Sequence, residues 1–179
     1  MGLGHIRSGH QVTFSDNSAQ PEDATRLYKV QSVIEHFDNK FKKSYSPGQN
    51  LSLDEAVIPW EGRLFFKTYN TMKPQRYGIR AYVLAEASSG YPLAVDINCV
   101  GGIKTMDRVL GLLGDYLNKG LVVYMDNYYN SVAMSTHLLR HDTGTCGTLR
   151  SKRGQPKEME EATEKLRKPG ECSAMTNGK

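Results

Sequence analysis

Apolar positions along the first half of the chain change from a helical to an extended period. Leu27, Val30, Val33, Ile34, Phe37 and Phe41 stand three and four apart, one face of an α-helix, and predict a helix over residues 23–43. Ser46-Pro47-Gly48 punctuates its end. Leu51, Leu53, Ala56, Val57 and Ile58 then form a short apolar run broken by polar residues, which predicts a strand. From 59 to 78 the period is lost: Trp60, Phe65, Phe66, Tyr69 and Tyr77 interleave with Arg63, Lys67, Lys73 and Arg76, an irregular excursion with room for one edge strand. Residues 79–87 and 91–98 flank Ser88-Ser89-Gly90, the turn chemistry of an antiparallel hairpin.

The second half alternates helix and strand. After Gly101-Gly102, Met106, Val109, Leu110, Leu113 and Leu117 lie at helical spacing, with an expected end near Lys119-Gly120. Leu121-Val122-Val123-Tyr124-Met125 is a continuous apolar run and reads as a central strand buried on both faces. A helix over 131–141, with Val132, Met134, Leu138 and Leu139 inward, and a strand over 144–149 follow. The tail from Arg150 is highly charged, with one amphipathic piece near 159–166. This order predicts an α/β fold with a mixed sheet flanked by helices. A right-handed crossover would lay strand 121–125 parallel to a strand of the first group. Pairing with strand 51–58 would give the sheet a ribonuclease H-like form. The expected organisation is a disordered polar leader (1–20), a helical lead-in (21–45), a core (46–150) and a charged tail (151–179).

Composition narrows the setting. A chain of 179 residues suits one ordinary domain. Its net charge of +4 and pI near 8.9 are compatible with a polyanionic partner but far from a polybasic signature. Cys99, Cys146 and Cys172 form no CxxC pair and have no nearby histidines, so free thiols are expected rather than a zinc site. No stretch reaches the roughly 18 apolar residues of a membrane span. The N-terminus has no signal-peptide core, and Ile6 stands where myristoylation wants Ser or Thr. A soluble intracellular protein is the expectation.

Two acidic residues stand out by position: Asp54 inside the first strand, where Asp is disfavoured, and Asp126 at the end of the apolar strand. On adjacent parallel strands their carboxylates would converge at the sheet edge where open α/β sheets bind ligands. Two such charges repel by roughly 1 kcal/mol in water and several at an effective dielectric near 20. A divalent cation relieves that repulsion, and Mg²⁺ suits oxygen ligands and phosphate. On residues alone, Asp126-Asn127 is also open to a role in turn and N-cap chemistry, and Asp54-Glu55 to a solvent-facing pair. The excursion can track a DNA backbone with bases stacking on its aromatics, or its rings can pack on the core. Arg150, Lys152, Arg153 and Lys157 read as a solvated cluster, and Glu158, Glu160, Glu161 and Glu164 as a solvated helix face.

The run Tyr45-Ser46-Pro47-Gly48-Gln49-Asn50-Leu51-Ser52-Leu53-Asp54-Glu55 resembles the Tyr-x-Pro-Gly-x-x-Leu-(Ser/Thr)-(Ile/Leu)-Asp-Glu segment of piggyBac transposases. Gly62-Arg63, Lys73-Pro74, Tyr77-Gly78-Ile79-Arg80, Asp126-Asn127-Tyr128-Tyr129 with Ser131, and Gly144-Thr145 through Gly147-Thr148-Leu149-Arg150 are similar to that family's further landmarks, in the same order. The resemblance covers about residues 21–157. It implies a ribonuclease H-like core with Asp54 and Asp126 as the first and second catalytic, metal-binding aspartates, Mg²⁺ or Mn²⁺ as cofactor, and DNA cleavage and strand transfer as the activity. DNA is the implied partner, with Arg63, Lys67, Lys73, Arg76 and Arg80 as candidate DNA-binding residues. A possible homodimer, a nuclear location and a dimerisation or DNA-binding role for the helix before Tyr45 are implied as well. The family's third aspartate, in a Gly-Gly-Val-Asp context, has no match after Arg150, and its cysteine-rich C-terminal region has none either. The expectation is therefore an incomplete core, inactive alone, with the tail as the start of an insertion region. The alternative is a domesticated, non-catalytic DNA-binding or interaction protein.

Overall fold

The computed structural model describes residues 18, 20–69, 71, 76–151 and 153–166. Helix α1, Tyr28–Ser44, starts later than its period suggests, and no side chain caps its N-terminus. Lys42 and Lys43 in its last turn suit the negative end of the helix dipole. The chain then becomes extended at Tyr45 and enters the sheet.

Among the described residues six strands make one sheet: β1 Asn50–Pro59, β2 Thr68–Tyr69, β3 Tyr77–Glu86, β4 Pro92–Ile97, β5 Leu121–Met125 and β6 Thr143–Gly147. The path runs β2-β3-β1-β5-β6, with β4 also pairing β3. β3 is antiparallel to β1, β2 and β4, whereas β1–β5 and β5–β6 are parallel. The sheet is therefore mixed, the hairpin forms as its turn chemistry predicts, and β5 lies between β1 and β6. The short β2 is the edge strand for which the excursion had room.

Strand alternation separates two faces. Leu51 and Leu53 on β1 pair with Glu86 and Leu84 on β3 and with Val123 and Met125 on β5, and all six are buried. Helices α2 (Thr105–Leu113) and α3 (Val132–Leu139) cover this face, adding Val109, Leu112, Leu113, Met134 and Leu138 to one cluster. Each such leucine contributes about 1.5–3 kcal/mol by leaving water. Helix α1 lies on the β3–β4 side. The Val95 N–H donates to Asp38 Oδ1 at 3.3 Å, and Tyr45 stacks on Tyr91 with 4.5 Å between ring centroids. Its apolar face is only half-buried, with Phe37 exposed.

Three expectations need correction. β5 is not buried on both faces: Tyr124, alternating with Val123 and Met125, is 42% exposed, because none of the described helices covers that side of β5. α2 stops at Leu113 rather than near Lys119-Gly120. Gly114 takes φ 32°, its N–H returns to the Leu110 carbonyl, and a single 3-10 turn, Gly114–Tyr116, completes the connection. Within α3, Met134 and Leu138 point inward, but Val132 and Leu139 are exposed. Helix α4, Lys157–Lys165, occupies the charged tail with Glu158, Glu161 and Glu164 exposed.

Candidate active site

The parallel pairing of β1 with β5 ends at Leu53 opposite Met125, so the next residues are Asp54, still on β1, and Asp126, just past the end of β5. Both are exposed, and alternation sets them on the face opposite the core, the side on which Tyr124 is open. One oxygen of each is held by its own backbone: Asp54 Oδ1 accepts from the Glu55 N–H at 2.8 Å, and Asp126 Oδ1 from the Tyr128 N–H at 2.8 Å. Asp126 is thus fixed in an Asx turn, while the N-cap of α3 is Ser131, whose Oγ accepts from the Met134 N–H at 3.1 Å. Both side chains offer exposed carboxylate oxygens, the donor type that a hard divalent cation takes. Among the described residues no group of three or more His, Cys, Asp or Glu side chains is arranged to hold a metal.

The turn after β5 is anchored more firmly than the sequence reveals. The Asn130 N–H bonds the Asp126 carbonyl at 3.1 Å, while the buried Asn130 side chain donates to the Thr148 carbonyl and accepts from Ser135 Oγ, each at 3.1 Å. Tyr129, 1% exposed, donates its hydroxyl to Glu55 Oε2 at 3.1 Å. Burial, followed by the charge of Glu55, pushes the Tyr129 phenol well above its ordinary pKa, so it remains a donor. Arg150 Nε donates to Asn127 Oδ1 at 2.8 Å, bringing a cation to the same turn. Glu55, Asn127, Tyr129 and Arg150 stand within family landmarks in the sequence, but no spacing points to the contacts they make, nor to Asn130. The Gly-Thr to Arg run at β6 was the one available signal for Arg150.

A family model described as transposase IS4 matches residues 10–179. This chain belongs to that family, of piggyBac type. Among solved structures it is similar to a piggyBac transposase in a cryo-EM synaptic complex with hairpin DNA, with a TM-score of 0.75 at 22% sequence identity. The match covers 87% of this chain and 34% of that one, so the chain spans about a third of its structural relative. The fold is accordingly ribonuclease H-like, as the β1–β5 pairing implied.

The predicted cations of the excursion differ in exposure. Arg63 and Arg76 are exposed, Lys67 and Arg80 half-buried, and Lys73 lies outside the described residues. The aromatics of the excursion divide: Phe65, Trp60, Tyr69 and Tyr77 are exposed, whereas Phe66 is half-buried. Lys67 sits 5.1 Å from the Tyr77 ring centroid and Arg26 4.4 Å from that of Phe65, both cation–π contacts. Trp60, Leu64 and Phe66 line a groove of about 360 Å³ with Ile58, Ile79 and the start of α1.

Two further groups have structural explanations. Glu86 is buried and accepts from the Ser89 and Tyr45 hydroxyls and from the Gly48 N–H, tying the Ser46-Pro47-Gly48 segment to the hairpin. These bonds, Ser89's first, hold its carboxyl down at about 2. Cys99 is buried and Cys146 exposed, both free, and Cys172 lies outside the described residues. No helix among the described residues is long and apolar enough to cross a membrane.

Proposed function

We propose that this chain supplies Asp54 and Asp126 as two metal-binding carboxylates of a DNA transposase that cleaves and joins DNA strands, with Mg²⁺ or Mn²⁺ as the ion. The observation that carries this reading is the parallel β1–β5 register, which makes the two aspartates neighbours on the open side of the sheet. A bound divalent cation would neutralise phosphate oxygens and activate a water or hydroxyl nucleophile. The protein's part is to hold two carboxylates at a fixed separation: Asp54 on β1, paired with Val83 of β3 and one residue past the last β5 pairing, Asp126 in a turn pinned by Asn130.

DNA is the proposed partner. Arg150, anchored on Asn127, offers a positive charge at the turn that carries Asp126. Arg63, Lys67, Lys73, Arg76 and Arg80 would neutralise backbone phosphates along the excursion, with Trp60, Phe65, Tyr69 and Tyr77 presenting faces on which unpaired bases stack. A nuclear location and assembly as a homodimer belong to the same proposal, as does catalysis that needs a third carboxylate beyond this pair.

Calorimetric titration of the chain with Mn²⁺ and Mg²⁺, beside Asp54→Asn and Asp126→Asn variants that fold equally well, tests the reading. Binding by the wild type that either substitution abolishes is the expected result. Equal behaviour of all three proteins would sink it and favour a non-catalytic, DNA-binding derivative.

A further inference from the structure

We infer that Glu55 and Tyr129 are positioning residues whose hydrogen bond sets the separation of Asp54 from Asp126, an inference that rests on the metal-site reading above. Main-chain pairing between β1 and β5 stops at Leu53 and Met125, so it does not extend to the aspartates themselves. The next connection across this gap is a side-chain bond: Tyr129 Oη donates to Glu55 Oε2 at 3.1 Å. It joins the residue after Asp54 to the turn that carries Asp126.

The bond acts from beneath. Glu55 alternates with Asp54 and shares the core face with Leu51 and Leu53, so it holds the strand end without competing for an ion on the open face. The Tyr129 ring has little freedom. It meets Tyr82, the β3 partner of Glu55, edge-on at 6.2 Å, and Tyr128 edge-on at 5.0 Å. Tyr82 is itself fixed by Arg108, whose guanidinium lies 3.9 Å from its ring centroid and bonds Asp96 at 2.7 Å. A packed ring that presents one hydroxyl to one carboxylate defines a distance in a way that two exposed side chains cannot.

Tyr129→Phe keeps the ring and deletes the bond. We expect it to weaken Mn²⁺ binding to the 179-residue chain about tenfold, the effect of losing a residue that orients a ligand. Titrations are run where every variant is fully folded, with Val109→Ala, a core truncation on α2, as the control for general destabilisation. Amide hydrogen exchange gives a second, metal-free readout. The Tyr128 and Asn130 N–H groups, which bond Asp126 Oδ1 and the Asp126 carbonyl, should exchange faster in Tyr129→Phe, while Glu55→Gln, which retains an acceptor, preserves their protection. Wild-type Mn²⁺ affinity in Tyr129→Phe, or a loss no greater than in Val109→Ala, overturns the inference while leaving the metal site intact. If the wild type binds no Mn²⁺, the metal-site reading falls. Faster exchange confined to this turn then upholds the clamp, and unchanged exchange removes it too.

Discussion

The carboxylate edge and the basic, aromatic excursion, the two regions on which the proposed function rests, are built in opposite ways. Asp54 and Asp126 are exposed but stand on backbone fixed from below by Leu53, Met125, Tyr129 and Asn130, all at most 7% exposed. The excursion carries exposed Trp60, Phe65, Tyr69 and Tyr77 and is tied to the sheet by a two-residue strand and the Lys67–Tyr77 contact, and to the segment before α1 by the Arg26–Phe65 contact. Bond chemistry at phosphorus needs donors held to within about half an ångström. Contact with a flexible polyanion tolerates, and gains from, adaptable side chains.

That contrast can be broken at its base. Leu53→Ala removes buried bulk directly before Asp54 and should cost about 2–5 kcal/mol, read as a lower urea midpoint together with loss of Mn²⁺ binding. A smaller loss, about 1–3 kcal/mol, is expected for Gly147→Ala. A Cβ there would lie 1.9 Å from the Met125 carbonyl oxygen, pushing β6 from β5 one residue before Asp126. Wild-type stability in that variant would mean that β5 and β6 separate freely and that the edge is less rigid than described.

Milder still is the effect of acid through Glu86, which fastens the segment entering β1. Its folded pKa of about 2 lies below the ordinary 4.5, so its stabilisation is complete above about pH 4.5 and is lost as pH falls towards 2. Glu86→Gln should flatten that part of the stability–pH curve in urea denaturation, and an unchanged slope would refute the assignment. The smallest effect on stability belongs to the excursion. Phe65→Ala, at a ring 86% exposed, should stay within about 0.5 kcal/mol of wild type. The same variant should weaken single-stranded DNA binding in fluorescence anisotropy by about 1–3 kcal/mol for one lost stacking contact. Unaltered DNA affinity would reduce the excursion to a surface loop.

Much of the fold was legible because each element carries its own period. The α1 stripe and the alternation at Leu51 and Leu53 could be read locally, and so could the Ser88-Ser89-Gly90 turn. What misled was apolarity without direction. Leu121–Met125 looked buried on both faces, but a run of apolar residues does not say whether a helix covers each side, and none of the described helices covers Tyr124. Likewise Leu139 fits a helical stripe yet lies 70% exposed, because α3 meets the sheet along Met134 and Leu138. The apolar spacing runs on to Leu117, but the helix ends before it, because Gly114 takes a positive φ and terminates α2.

The sequence by itself determined the kind of elements, their order, and two aspartates at strand positions within family landmarks, since backbone geometry imposes those periods on neighbouring residues. Only the tertiary structure decided that β1 and β5 lie side by side in parallel, that the face bearing Asp54 is open, and that Tyr129 reaches Glu55 and Arg150 reaches Asn127. Those contacts join residues 74 and 23 positions apart. They form when the sheet and its helices exclude water together, and no local spacing encodes which of several possible partners each side chain meets.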